Sequence, residues 1–133
     1  MNDSYKLSLK ILLVEDDGIS NFLATTKFKK LGFEKIQSVE NGILAIDYLN
    51  NHTPNLIILD INMPIMDGFE FLDYKEKNSL GANTPIVILT SSNRESDREK
   101  ILGYRNIVDY IEKPLNYEKI QRILTKINIT ASV

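Results

Sequence analysis

The stretch from Leu56 to Gly68, LIILDINMPIMDG, constrains the fold of this chain more than any other. Four apolar residues run directly into Asp60, and turn-forming residues follow up to Gly68. A continuous apolar run of this length, bounded by turn residues, is typical of a central strand in a parallel sheet covered on both faces. Asp60 then falls at the carboxyl end of the strand, where open α/β sheets bind their ligands. The stretch therefore predicts a functional carboxylate at one edge of a parallel sheet.

The rest of the chain alternates between strand-like and helix-like segments. Apolar runs predict four more strands, at 11–14, 35–39, 86–89 and 108–112. Apolar residues at helical spacing predict five helices, at 18–31, after Asn41-Gly42, at 68–77, at 92–105 and after Asn116. This alternation predicts a doubly wound parallel sheet with helices on both faces.

Each predicted helix has an apolar side that we expect to face the sheet. The inward residues are Leu23, Ala24, Phe28 and Leu31; Ile43, Ile46 and Leu49; Phe69 and Leu72; Ile101 and Leu102; and Ile120, Ile123, Leu124 and Ile127. Asp67 and Asn116 are predicted N-caps, because their short polar side chains can accept hydrogen bonds from the first helical turn. Ser92 and Glu95 have the spacing of a capping box, which places a helix start there.

The size and charge of the chain narrow the classes of protein to consider. With 133 residues, 43% of them hydrophobic, it is about one domain long and can form its own core. A formal net charge of -2 without a basic stripe argues against direct nucleic-acid binding. The chain has no cysteine for disulfides or thiolate metal ligands, and no apolar run approaches the roughly 20 residues of a membrane span. We expect a cytoplasmic protein without membrane insertion, with a polar tail at 1–8.

Polar residues whose side chains can take part in catalysis or metal binding follow four of the predicted strands. They are Glu15 and Asp16 after the first strand, Asp60 after the third, Thr90 after the fourth and Lys113 after the fifth. In a parallel sheet all of these strand ends lie at the same edge. The sequence therefore predicts that these distant side chains converge on one pocket.

A pocket of this composition suits a cation and a phosphoryl group. Crowded carboxylates repel one another, and an oxygen-rich site of this kind recruits a hard divalent cation such as Mg²⁺. With the acids neutralised, the Asp60 carboxylate could attack phosphorus and form an aspartyl phosphate. Lys113 would offset the phosphoryl charge, and the Thr90 hydroxyl would donate to one of its oxygens.

Five sequence motifs, taken together and in order, resemble the receiver domain of two-component response regulators, and especially stand-alone members such as the chemotaxis regulator. The motifs are LLVEDD at 12–17, NGILAI at 41–46, LDINMPIMDG at 59–68, ILTSS at 88–92 and DYIEKP at 109–114. The resemblance covers nearly the whole chain. It implies a flavodoxin-like fold with strand order 2-1-3-4-5, a receiver domain at 9–130 and no output domain.

The resemblance also implies roles for individual residues. Asp60 would take a phosphoryl group from a histidine kinase or a histidine phosphotransfer protein, and Lys113 would pair with that group. Asp16, Asp60 and the backbone carbonyl of Asn62 would bind Mg²⁺, with Glu15 acting mainly through metal-bound water. A cis peptide bond between Lys113 and Pro114 is implied as well.

A conformational switch is implied by the same family resemblance. Thr90 would move towards the phosphorylated Asp60, and Tyr110 would occupy the space that Thr90 leaves. The surface formed by the fourth predicted helix, the fifth strand and the last helix would change, and a protein partner not identifiable from the sequence would recognise it. The phosphate could equally be relayed onward to a phosphotransfer protein.

The chain departs from the family pattern at a few positions. Asn106 and Ile107 stand where a glycine and a small residue are usual, and we expect Asn106 to be a left-handed helix cap. Leu44 and Tyr48, four residues apart, are more apolar than a solvated helix face requires, which suggests a contact surface of unknown role. His52, the single histidine, lies in a polar loop and is assigned no role.

Each motif residue also has a purely structural interpretation. Alone, Asp60 would be a cap or turn residue, the acids 15–17 would complement a helix dipole, and Lys113 and Thr90 would be ordinary turn and strand-end residues. A second function to consider is a Mg²⁺-dependent phosphohydrolase of the haloacid-dehalogenase type, although Asn62 stands where those enzymes have a second Asp. A third is a receiver that is never phosphorylated and serves only as a docking module.

Overall fold

Five parallel strands form the centre of the molecule. The computed structural model describes residues 4–131, and the side chains of residues 4–127. The strands are β1 (Lys10–Val14), β2 (Lys35–Val39), β3 (Leu56–Leu59), β4 (Ile86–Thr90) and β5 (Ile107–Glu112). They pair in the order β2-β1-β3-β4-β5, all in parallel. The predicted fold and strand order are confirmed.

Helices alternate with the strands and cover both faces of the sheet. They are α1 (Tyr5–Ser8), α2 (Gly18–Lys30), α3 (Gly42–Asn51), α4 (Gly68–Lys77), α5 (Glu95–Ile101) and α6 (Tyr117–Ala131). Within the described residues there are thus six helices, where five were predicted. The extra one, α1, falls in the predicted tail, of which residues 1–3 lie outside the described part of the chain.

The short helix α1 exists because it packs on an aromatic cluster. The Tyr5 ring lies edge-on to Phe33, with 6.3 Å between ring centroids, and Phe33 lies edge-on to Phe28 at 5.5 Å. Leu9, directly after α1, is buried in the same core. Aromatic pairs of this geometry add to the stabilisation from burial. Tertiary contacts therefore form a helix in a segment that was predicted to be a polar tail.

Two hydrophobic cores lie on opposite faces of the sheet. One is formed with α2 and α6, and the other with α3, α4 and α5. Alternate residues of β1 and β3 contribute to each core, because successive side chains of a strand point to opposite faces. All four residues of β3 and all five of β4 are buried, as expected for central strands covered on both sides.

The predicted inward faces of the helices are largely correct, with three errors. Leu23, Ile43 and Leu102 are exposed, at 43%, 49% and 82%. Leu23 and Ile43 lie beside narrow buried stripes, formed in α2 by Ala24 and Phe28 and in α3 by Gly42, Ala45 and Leu49. Leu102 is exposed because α5 ends at Ile101, well before the predicted end at 105. The remaining predicted inward residues are buried or partly buried.

The predicted helix starts are confirmed in two of three cases. Asp67 forms a capping box with Glu70 at the start of α4, with reciprocal bonds of 2.9 and 3.1 Å. Asn116 Oδ1 accepts a hydrogen bond from the Lys119 N–H at 2.8 Å, as an N-cap does. The capping box of Ser92 with Glu95 is wrong, because α5 begins only at Glu95 and the Ser92 hydroxyl binds elsewhere.

Candidate functional site

The carboxyl ends of the strands bring the predicted pocket together. Glu15 and Asp16 directly follow β1, and Asp60 directly follows the neighbouring strand β3. The Asp60 N–H donates to the Val14 carbonyl at 3.0 Å, which extends the ladder between the two strands by one residue. Lys113 directly follows β5, and its side chain reaches across to the ends of β1 and β3. The predicted convergence on one edge is therefore present.

Three carboxylates form a cluster at this edge. One oxygen from each of Glu15, Asp16 and Asp60 lies within 4.8 Å of the other two. Glu15 and Asp60 are buried, whereas Asp16 is exposed and opens the cluster to solvent. A set of oxygen donors without histidine or cysteine fits a hard cation such as Mg²⁺. The residues present therefore fit the predicted metal.

Lys113 balances part of the negative charge. Its ammonium nitrogen lies 2.5 Å from Glu15 Oε1 and 3.0 Å from Asp60 Oδ2. Burial raises the pKa of Glu15 to about 7, although hydrogen bonds from Lys113 and from the Asp17 N–H oppose this rise. Burial alone would lower the pKa of Lys113, but the contacts with Glu15 and Asp60 outweigh burial and raise the pKa of Lys113. The ammonium is therefore held in its charged form between two buried carboxylates.

The Asp60 side chain is fixed in orientation by groups on both of its oxygens. Oδ1 accepts a hydrogen bond of 3.0 Å from the Asn62 N–H, and Oδ2 accepts one of 3.0 Å from Lys113. The chain then turns, and the Gly68 N–H donates to the Ile61 carbonyl at 3.0 Å. Asp60 is therefore positioned by backbone on one side and by charge on the other.

Gly68 is required where helix α4 starts against the end of β3. A Cβ atom at this position would lie 2.6 Å from the Ile61 Cα and 2.9 Å from the Asp60 carbonyl oxygen. Backbone cannot move aside as a flexible side chain can, so we expect Gly68→Ala to lower the free energy of unfolding by about 1–3 kcal/mol. Urea denaturation measures this loss.

Gly18→Ala is the matched control for that substitution. Gly18 is the first residue of α2, and a Cβ atom there would meet nothing within 4 Å. The same change should leave stability unaltered or slightly increased, because alanine favours helix over glycine. Equal losses in the two variants would contradict the steric explanation.

Thr90 is fully buried beside the cluster. Its Oγ1 accepts hydrogen bonds from the Ser92 N–H at 3.2 Å and from Asn62 Nδ2 at 3.4 Å. The Thr90 carbonyl accepts a bond of 2.8 Å from the Lys113 N–H, which joins the ends of β4 and β5. Thr90 is thus linked to the Asp60 loop through Asn62 and to Lys113 through the backbone.

Tyr110, predicted as a switch residue, lies on β5 opposite Ile88 of β4. It is half-buried, and its hydroxyl donates to the Ser92 carbonyl at 3.4 Å. Tyr110 therefore contacts the loop that follows Thr90 and does not contact the carboxylate cluster directly. The Lys113-Pro114 peptide bond is cis, as predicted.

One buried acid near the site was missed in the sequence. Asp97 of α5 is 8% exposed and accepts hydrogen bonds from the Ser92 hydroxyl at 2.6 Å and from Arg94 Nε at 3.2 Å. The spacing of Ser92 to Glu95 pointed to the wrong acid, because acids follow the serine at both three and five residues and only the first has capping-box spacing. Only the path of the loop decides which of the two the hydroxyl reaches.

The other residues singled out in the sequence lie away from the carboxylate cluster. Asn106 has the predicted left-handed backbone, with φ of 67°. Leu44 is exposed, but Tyr48 is partly buried and its ring stacks on exposed His52 at 4.5 Å between centroids. Leu44 and Tyr48 therefore do not form one exposed apolar face. No helix of the described part of the chain is both long enough and apolar enough to cross a membrane.

Comparisons with known proteins agree on one family. The family model "Response regulator receiver domain" matches residues 11–125. The chain is 34% identical over 125 residues to the probable methanogenesis regulatory protein FilR2 of Methanothrix harundinacea, covering 88% of this chain and 79% of that protein. It is 28% identical to the chemotaxis protein CheY of Bacillus subtilis, covering 88% and 95%. The chain spans about half the length of other curated relatives that it matches.

One solved structure has a similar fold and holds a metal ion in its active site. The crystal structure of the receiver domain of the sensor histidine kinase PA1611 from Pseudomonas aeruginosa has a TM-score of 0.79 and 28% sequence identity. The match covers 90% of this chain and 98% of that one. In that structure a magnesium ion is coordinated in the active site cleft.

Proposed function

The chain belongs to the response regulator receiver family of two-component signalling, and from that premise we propose that Asp60 is its phosphoacceptor. Receivers of this kind exchange signals with histidine kinases or phosphotransfer proteins. The observation that best supports Asp60 is the Lys113 ammonium, which lies 3.0 Å from the Asp60 carboxylate within a cluster of three acids.

The proposed reaction transfers a phosphoryl group from a phosphohistidine or from a small acyl phosphate. An Asp60 carboxylate oxygen forms a bond to phosphorus while the bond from phosphorus to the donor nitrogen or oxygen breaks. The leaving group keeps the electron pair of that bond, so the product is an aspartyl phosphate and a free donor. Lys113 stays charged throughout and offsets the negative charge on the phosphoryl oxygens.

Magnesium fits this site as the metal partner. Asp16, Asp60 and the Asn62 backbone carbonyl would hold it, with Glu15 acting through bound water. When bound, Mg²⁺ would neutralise the acids and the phosphoryl oxygens, which lowers the electrostatic barrier to approach. The buried carboxylates support this proposal, because burial already disfavours the charged form of Glu15, and an added cation relieves that cost.

The proposed switch begins at Thr90. Its hydroxyl oxygen accepts hydrogen bonds from Ser92 and Asn62, and a phosphoryl group on Asp60 would offer a charged acceptor for the hydroxyl proton. If Thr90 moved to meet it, Tyr110 could move into the vacated space, since its hydroxyl already contacts the Ser92 loop. The surface of α5, β5 and α6 would then change for a protein partner.

Acetyl phosphate tests the proposed reaction on the purified chain. With Mg²⁺ present, we expect intact-mass spectrometry to show the addition of one phosphoryl group, and excess EDTA to prevent it. Hydroxylamine should remove the group, because it cleaves acyl phosphates and spares phosphoserine and phosphothreonine.

Two results would contradict the proposed function. One is no modification at any Mg²⁺ concentration, and the other is modification that hydroxylamine does not reverse. Rapid turnover of p-nitrophenyl phosphate would instead favour the phosphohydrolase alternative.

A further inference from the structure

A cationic side chain, which has no part in the switch proposed above, covers the Tyr110 ring. The Arg98 guanidinium carbon lies 4.5 Å from the centroid of the Tyr110 ring. Arg98 is exposed on α5, whereas Tyr110 is half-buried on β5. A guanidinium at this distance over an aromatic face is attracted by the ring quadrupole. The contact therefore ties α5 to β5 at the residue proposed to move.

Helix α5 is itself anchored to the loop that follows Thr90. The buried Asp97 carboxylate accepts from the Ser92 hydroxyl and from Arg94 Nε, and the Ser92 N–H donates to Thr90 Oγ1. Asp97 and Arg98 are consecutive, so the residue that anchors α5 precedes the one that covers Tyr110. A continuous set of contacts therefore links the position of Arg98 to the conformation of the loop that follows Thr90.

Tyr110 is held from two directions in this arrangement. Its hydroxyl donates to the Ser92 carbonyl, and its ring face lies under Arg98. The charged groups that act on Tyr110 are Asp97, Arg98 and Arg94. Of these, Arg98 is the one placed over the ring face.

Arg98 and Tyr110 also share the wall of a surface cleft. The cleft has a volume of about 250 Å³ and is lined by Glu95, Arg98, Glu99, Ile101, Leu102 and Tyr110. A movement of Tyr110 away from Arg98 would reshape this cleft between α5 and β5. The contact of Arg98 with Tyr110 thus connects the proposed switch residue to the surface that a partner protein would bind.

We propose that Arg98 is a positioning residue that holds Tyr110 in its present place and so favours the unphosphorylated arrangement. This inference rests on the proposed function. Moving Tyr110 inward breaks the contact between the Arg98 guanidinium and the ring. Part of the free energy gained when a phosphoryl group or its mimic binds at Asp60 must therefore offset the lost contact. By linkage, a variant without the contact binds a phosphoryl group or its mimic more tightly. For an exposed contact of this kind the expected gain is about two- to five-fold.

The test compares three single variants with the original chain. Arg98→Gln removes the cation and keeps most of the side-chain length, whereas Arg98→Lys keeps a cation over the ring. Lys100→Gln is the matched control, because it removes one positive charge from the same helix at a residue whose ammonium lies over Phe69. Each variant is also made in a Tyr110→Leu background, which gives a double-mutant cycle.

The first measurement needs no phosphorylation. Scalar couplings in NMR spectra report the rotamer of the Tyr110 side chain in the unmodified protein. We expect one dominant rotamer in the original chain and in Arg98→Lys, and averaging between rotamers in Arg98→Gln. An unchanged rotamer in Arg98→Gln overturns the proposal, whatever the outcome at Asp60.

The second measurement is the affinity for beryllium trifluoride with Mg²⁺, as a mimic of the phosphoryl group. Arg98→Gln should bind it about two- to five-fold more tightly, and Arg98→Lys should restore most of the original affinity. In the Tyr110→Leu background, Arg98→Gln should have no effect. An equal gain from Lys100→Gln, or a gain that persists without Tyr110, would show a general charge effect and overturn the proposal. Failure of the proposed function is recognised separately, by acetyl phosphate leaving the original chain unmodified.

Discussion

Asp60→Asn protein should gain no phosphoryl group from acetyl phosphate in the presence of Mg²⁺. The amide that replaces the carboxylate has no nucleophilic oxygen anion, and it removes one of the three acids of the cluster. The side chain keeps its size, and the Asn62 N–H can still donate to the amide oxygen where it now donates to Oδ1. We therefore expect a folded protein that has lost the reaction completely. Intact-mass spectrometry after incubation measures the difference.

Asp47→Asn is the matched control for this loss. Asp47 is an exposed acid on α3 and lies outside the cluster, so its removal should leave phosphorylation unchanged. Circular dichroism establishes that both variants are folded. Modification of Asp60→Asn to the same extent as the original chain would assign the phosphate to another residue and refute Asp60.

Lys113→Met should destabilise the metal-free protein by roughly 3 kcal/mol, because it leaves two buried carboxylates without their cation. The side chains of Glu15 and Asp60 are 2% and 6% exposed, and the Lys113 ammonium contacts both. Methionine fills similar space but supplies no charge. Urea denaturation in the presence of EDTA measures the loss.

Added Mg²⁺ should return part of that stability, and more of it in Lys113→Met than in the original chain. The ion would supply the positive charge that the variant lacks, and any ligand that binds the folded state stabilises it by mass action. Lys35→Met on β2 is the control, because it removes an exposed lysine outside the cluster. An Mg²⁺ effect of the same size in all three proteins would contradict the electrostatic role of Lys113.

Several features of this protein could be predicted because they depend on local sequence. The apolar run before Asp60 is a central strand, since a segment buried on both faces needs no polar residues. Asp67 and Asn116 are caps, because their side chains bond to backbone within three residues. Alternation of strands and helices then places Glu15, Asp60 and Lys113 at one edge, as the structure shows.

Other features could not be predicted from local sequence, because they depend on tertiary packing. Leu23 and Ile43 are apolar residues at helical spacing, but they are exposed because only a narrow side of each helix meets the sheet. Ser92 precedes two acids, and it bonds to Asp97 because of the path of the loop. Helix α1 forms against Phe33, a residue 28 positions away from Tyr5.

The amino-acid sequence by itself determined the five strands and the helix that follows each of them, the strand that carries Asp60 and the set of polar groups at the strand ends, because hydrophobic pattern and capping act over a few residues. The tertiary structure alone decided which groups touch. Lys113 lies between Glu15 and Asp60, and Arg98 lies over Tyr110, at distances that depend on how separate elements pack. Contacts of that kind follow from the geometry of packing, which no local stretch of sequence contains.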